Sequence, residues 1–137
     1  MKERAFGNAP PAVSDARRFV VAELADLPRS VVDEIAVMVS ELATNCVRHT
    51  DAEFRVRVEH DSRRVRIEVT DRGSGMPTVR VPPATEPTGR GLRIVRELSD
   101  SFGVRPLPDP PGKTVWFVVN LDHTSNHSSA ERNVPQA

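Results

Sequence analysis

The sequence predicts an α+β fold, a two-layer α/β sandwich in which three helices cover one face of a mostly antiparallel mixed sheet. Three observations lead there. Apolar residues recur at helical spacing in three stretches, two before residue 50 and one near residue 95. Alternating apolar and charged residues mark consecutive strands around residue 61 and again in the last third of the chain. Helices and strands are grouped in sequence, whereas a doubly wound parallel sheet needs them to alternate regularly.

The elements follow in order. Residues 1–12 are polar and end in Pro10 and Pro11, with 4–6 as an arm or brief edge strand. A first helix is expected from Ser14, with Ala16, Phe19, Val20, Leu24 and Leu27 on its apolar face, until Pro28 ends it. Ser30 and Asp33 form a variant capping box, with aspartate in place of glutamate, before a second helix that runs to about His49. Val31, Ile35, Met38, Leu42 and Cys46 are its core stripe.

Phe54, Val56 and Val58 alternate with Arg55, Arg57 and Glu59; beyond a turn at 61–63, Val65, Ile67 and Val69 alternate with Arg66 and Glu68. That is a β-hairpin with one buried and one charged face. Residues 76–89 lose all periodicity in a proline-rich loop, and a third helix is expected from about Gly91 to Ser99, burying Leu92, Val95 and Leu98. Strands at 102–104 and 114–121 flank a loop at 106–112, so the domain spans 13–121 and the polar tail 122–137 is expected to be disordered.

The bulk numbers fit one domain. The chain has 137 residues, 38% hydrophobic and 28% charged, the balance of an ordinary globular protein. Its 19 Lys and Arg offset 19 Asp and Glu, which argues against direct nucleic-acid binding, although arginines cluster between 55 and 66. Cys46 is the single cysteine, so no intramolecular disulfide forms, and its apolar helical setting marks a buried small hydrophobe. No run approaches ~18 apolar residues and no signal-like segment follows Met1, so a cytoplasmic protein without membrane contact is expected.

Four local features carry chemistry. Glu41 and Asn45 lie four apart on the second helix, and Arg48 and His49 continue that face. The stripe is either a solvated face or a carboxylate base beside an amide oxygen able to ligate a hard cation. Asp71 ends a strand and is followed by Gly73, Gly75 and Met76, which is either an Asp/Gly turn or a carboxylate presented to a flat ligand. Gly89, Arg90, Gly91 and Leu92 stand before the third helix, where free N–H groups and the helix dipole favour a phosphate. Gly112, Lys113 and Thr114 open the last strand; they look like the end of a Walker A motif, but Leu107 replaces its first glycine and no helix follows. Trp116, in the same strand, reads as core or sheet packing, and the tail histidines His123 and His127 as solvated.

Together these features resemble the GHKL ATPase family, and within it the anti-sigma-factor serine/threonine kinases, over about 13–121. Residues 40–49 resemble the family's N box, 71–75 its first glycine box and 89–92 its second. The resemblance implies Mg²⁺ on Asn45, Glu41 as catalytic base, Asp71 accepting from the adenine amine, and Gly73 and Gly75 letting backbone approach the base. It implies further that Gly89, Arg90 and Gly91 hold the phosphates, that Thr114 supports the adenine end through water, and that 76–88 form an ATP lid. Its partners would be a sigma factor and an anti-sigma-factor antagonist, with ATP and Mg²⁺ as cofactors and a homodimer as the assembly. The lid is short and proline-rich, and Arg80 and Arg90 are the arginines available beside it. Two other functions fit the same motifs: a nucleotide-gated binding module that transfers nothing, and a histidine-kinase-type ATPase domain.

Overall fold

In a computed structural model the described residues are 1–49, 52–72, 87–108 and 112–121, with the side chains of 49 and 87–91 outside the description. The chain runs β1 (Lys2–Phe6), α1 (Pro11–Glu23), α2 (Arg29–His49), β2 (Phe54–His60), β3 (Arg64–Asp71), α3 (Pro87–Leu98), β4 (Ser101–Pro106) and β5 (Lys113–Asn120). The five strands form one sheet in the order β1-β2-β3-β5-β4, and all four pairings are antiparallel.

Alternation decides which face is covered. Phe54, Val56 and Val58 of β2, Val65, Ile67 and Val69 of β3, and Val115, Phe117 and Val119 of β5 share one buried cluster with Val20, Leu24, Ile35, Met38 and Val95 from the helices. Burying each such side chain contributes roughly 1.5–3 kcal/mol, which favours one register of each strand over its one-residue slip. Helix α2 lies between α1 and α3 and packs on both. The whole expected stripe of α2 is buried. At one sheet edge, Phe6 of β1 stacks on Phe54 at 5.5 Å and meets Phe19 of α1 at 5.9 Å, tying the edge strand to the helix layer.

Helix α2 starts at Arg29, so Ser30 lies in its first turn rather than capping it, and the other two helices begin earlier than their periodicity suggests. Helix α1 starts at Pro11 rather than Ser14, and α3 starts at Pro87 rather than Gly91. In both, proline opens the helix, where its fixed φ suits the first turn and its missing N–H leaves no donor unpaired. The stop of α1 is Glu23, with the amide of Leu24 closing the last turn on Val20 and Val21. The β2–β3 turn is held by Asp61, whose Oδ1 accepts from the amides of Arg63 at 2.7 Å and Arg64 at 3.1 Å.

The outer sheet face is charged and paired. Arg57 meets Glu59 at 3.1 Å, Arg66 meets Glu68 at 3.0 Å, and Arg55 reaches Glu3 at 3.5 Å. The arginine cluster of 55–66 is therefore largely matched by glutamates rather than left as a basic patch. Trp116 lies on this face, under the Arg66 guanidinium at 4.6 Å and across β4 at Gly103. A Cβ at Gly103 would sit 2.6 Å from the indole, so only glycine leaves room for it. The tail 122–137 lies outside the described residues.

Candidate functional site

The buried stripe of β3 ends in a charge. Val65, Ile67, Val69 and Asp71 alternate toward the helices, so the pattern that buries three aliphatic side chains also buries a carboxylate, only 4% exposed. A buried charge must be paired or hydrogen-bonded to persist. Oδ2 of Asp71 accepts from the Lys113 ammonium at 3.0 Å and from the Cys46 thiol at 3.9 Å. These contacts bring three elements together: the C-terminal half of α2, the end of β3 and the start of β5.

Burial first, and the neighbouring Asp71 carboxylate second, push the Cys46 thiol up to about 12. It stays protonated at neutral pH and acts as a weak donor to Asp71. Cys46 is thus the buried small residue expected from the sequence and also part of the wall around the carboxylate.

Glu41 and Asn45 precede Cys46 on α2 and are both partly exposed, while Leu42, Ala43 and Cys46 face the core. Arg48 lies on the same side and is exposed; His49 closes the helix, with its side chain outside the described residues. The helix is fastened on its flanks. Arg17 of α1 donates to the Ser40 hydroxyl at 2.9 Å, and the Thr44 hydroxyl donates to the Ser40 carbonyl at 2.7 Å. A carboxylate and an amide oxygen are therefore held at helical spacing on the helix whose Cys46 meets Asp71.

The register between β3 and β5 sets which side chain stands beside Asp71. Thr114 pairs with Thr70, their hydroxyl oxygens 2.7 Å apart, and Lys113 pairs with Asp71. Because successive strand residues point to opposite faces, Thr114 lies on the outer face and Lys113 on the face of Asp71. The position directly beside the carboxylate belongs to Lys113. Sequence reasoning dismissed Lys113 with the Walker-like triplet, because the signal that finds it is the pairing register rather than any local motif.

Gly112 makes this close approach feasible. Its φ is 128°, and a Cβ there would lie 2.5 Å from the Asp71 carbonyl oxygen and 2.6 Å from Leu107 Cδ1. Gly89, Arg90 and Gly91 fall inside the first turns of α3 rather than ahead of it. The amides of Thr88 and Gly89 belong to the turn whose N–H groups have no intrahelical acceptor, so the anion-binding chemistry survives this shift. Leu92 packs against the core as a partly buried residue. Gly73, Gly75 and Met76, with most of the expected lid including Arg80, lie outside the described residues.

Known proteins are similar to this chain in sequence and in fold. The model of the family described as histidine kinase-like ATPase domain matches residues 6–119. The anti-sigma F factor of Pasteuria penetrans is 34% identical over 127 residues, covering 81% of this chain and 84% of that protein. Among solved structures, the blue-light activated histidine kinase of Erythrobacter litoralis superposes with a TM-score of 0.59 at 19% identity, over 84% of this chain and 42% of the kinase. The histidine kinase AdeS of Acinetobacter baumannii gives 0.51 at 13% identity, over 89% of this chain and 68% of that one. At such identities the two structures speak for the fold alone, and this chain spans less than half of the blue-light kinase. Among the described residues no helix is long and apolar enough to cross a membrane.

Proposed function

Because this chain belongs to the histidine kinase-like ATPase domain family, the GHKL type, we propose that its site binds ATP with Mg²⁺ and passes the terminal phosphoryl group to a serine or threonine of a small antagonist protein. The chain would also bind a sigma factor, as the anti-sigma F relative's name suggests for that protein. The observation that carries the reading is the buried Asp71 carboxylate at the end of β3, in contact with Lys113 and with Cys46 of the helix that also bears Glu41 and Asn45.

The donor chemistry fits the group. Asp71 supplies an acceptor suited to an exocyclic amine, and Gly112 lets the start of β5 approach the end of β3, where any side chain would collide with its backbone. Asn45 offers one amide oxygen to a magnesium ion, which usually takes its other ligands from phosphates and water. The first turn of α3 offers N–H groups to the phosphates. ATP, when bound, supplies the electrophilic phosphorus and the leaving group. Glu41 would take the hydroxyl proton of the acceptor serine as that oxygen replaces the leaving diphosphate on the phosphorus. The family likeness also carries an expectation of a homodimer, which sedimentation tests directly.

Glu41→Gln and Asn45→Ala separate the roles. Asn45→Ala should weaken Mg²⁺-dependent ATP binding together with transfer. Glu41→Gln should keep ATP affinity while single-turnover transfer to the antagonist falls by roughly 10²- to 10⁴-fold. Wild-type transfer rates in Glu41→Gln would remove the base assignment. No transfer by the wild type to any antagonist would favour the nucleotide-gated binding module.

A further inference from the structure

We propose that Arg17 of α1 is a positioning residue for phosphoryl transfer, setting the rotation of α2 at Glu41 through the Ser40 hydroxyl. That role rests on the reading of Glu41 as the base. Arg17 donates to Ser40 Oγ at 2.9 Å where the two helices pack, and both residues are half-buried. A longer contact, 3.4 Å to the Ser14 hydroxyl, steadies the guanidinium on its own helix. Ser40 immediately precedes Glu41, and its carbonyl accepts from the Thr44 hydroxyl at 2.7 Å. Side chain and carbonyl of Ser40 are thus both engaged, at the start of the turn that carries Glu41 and leads to Asn45. Helix α1 bears none of the groups assigned to the site, yet its Arg17 reaches the stretch that bears two of them.

Apolar packing alone sets this rotation loosely. Beside the polar contact lie Ala16 and Val20 of α1 and Val39, Leu42 and Ala43 of α2, all buried. Their attraction is non-directional, so it fixes how closely the helices approach better than how each is turned about its axis. A charge-assisted hydrogen bond has a preferred distance and direction, and the planar guanidinium fork adds orientation. The lever is long enough to matter. Side-chain atoms at the rim of a helix stand ~5–6 Å from its axis, so a turn of about 10° moves them by about 1 Å. A misplacement of that size at a reacting group costs roughly 10²-fold in rate.

The test measures transfer from ATP to the antagonist protein by the whole chain, with kcat and KM resolved. Arg17→Met keeps the apolar stem and removes the donor; Ser40→Ala removes the acceptor and substitutes the strongest helix former. Each should lower kcat by about 10- to 100-fold, while ATP affinity by calorimetry and KM for the antagonist stay within about threefold. The double variant should lose no more than the worse single one, because either change breaks the same bond. Loss of folding shows in thermal melts and lowers ATP binding as well, which separates it from a fall in kcat alone. A rise in KM at unchanged kcat would set Arg17 against the antagonist itself and overturn the positioning role. Unchanged kcat in Ser40→Ala overturns it too, as do additive losses in the double variant. Each of these outcomes leaves the base assignment standing, since that is read from Glu41→Gln. Folded wild type that binds no ATP, or transfers nothing, overturns both.

Discussion

Replacing Gly112 by alanine perturbs the site through the backbone, and its size follows from two separate strains. The φ of 128° lies where L-residues are rare, and holding alanine there costs of order 1–3 kcal/mol. The added Cβ would also lie 2.5 Å from the Asp71 carbonyl oxygen and 3.0 Å from Arg72 Cα. Those neighbours are backbone, so the end of β3 must move, and forced overpacking of this kind costs typically 1–3 kcal/mol. The sum is about 2–6 kcal/mol, a large share of a domain's stability. At roughly 3–5 °C per kcal/mol for a chain of this size, Tm should fall by at least about 6 °C. The loop bond from the Leu107 amide to the Gly112 carbonyl, 3.1 Å long, goes with it. Gly7→Ala is the matched control, since a Cβ there meets nothing within 4 Å, and it should be neutral or stabilising by up to about 1 kcal/mol. Thermal melts of the two variants by circular dichroism measure the difference. If Gly112→Ala melts within 2 °C or so of Gly7→Ala, the account of the turn is wrong.

Two further outcomes depend on pH. With Cys46 pushed from 9.0 up to about 12, its thiolate fraction at pH 7.5 is roughly three orders of magnitude below that of a free cysteine, so iodoacetamide should label it slowly until denaturant is added. Its raised value also means that the native state holds the proton longer than the unfolded one. Stability is then complete below pH 9.0 and declines toward pH 12, a decline that Cys46→Ala should make shallower in urea titrations. Asp61 runs the other way, because the amides of Arg63 and Arg64 hold its carboxyl below the ordinary 3.8. Its contribution is present above 3.8 and disappears as pH falls through the lower native value, so Asp61→Ala should melt below wild type at pH 6 and converge with it in stronger acid.

Much of this was legible because it is local. The 3.6-residue period of Ile35, Met38, Leu42 and Cys46 and the two-residue period of Val65, Ile67 and Val69 state which faces are apolar. Asp71 stood out because it ends a strand and glycines follow it. The starts of α1 and α3 were missed where proline, read as a breaker, served as a first helical residue. Lys113 and Gly103 were invisible for a different reason. Their meaning lies in cross-strand neighbours, Asp71 from β3 for one and Trp116 from β5 for the other. Such partners are fixed only when separate strands find their register, and no window of the chain contains that information.

The packing of Trp116 under Arg66 and over Gly103 has an optical consequence. The chain contains one tryptophan and no tyrosine, so its near-ultraviolet emission arises from that indole alone. The ring touches the edge strand β4 on one side and a cationic group on the other, and it stands three residues from Lys113 along β5. Fraying of the sheet edge would carry the fluorophore from a half-sheltered setting into water and away from the guanidinium. Emission wavelength and quenching by added iodide then follow one strand of the five-stranded sheet, without any label attached.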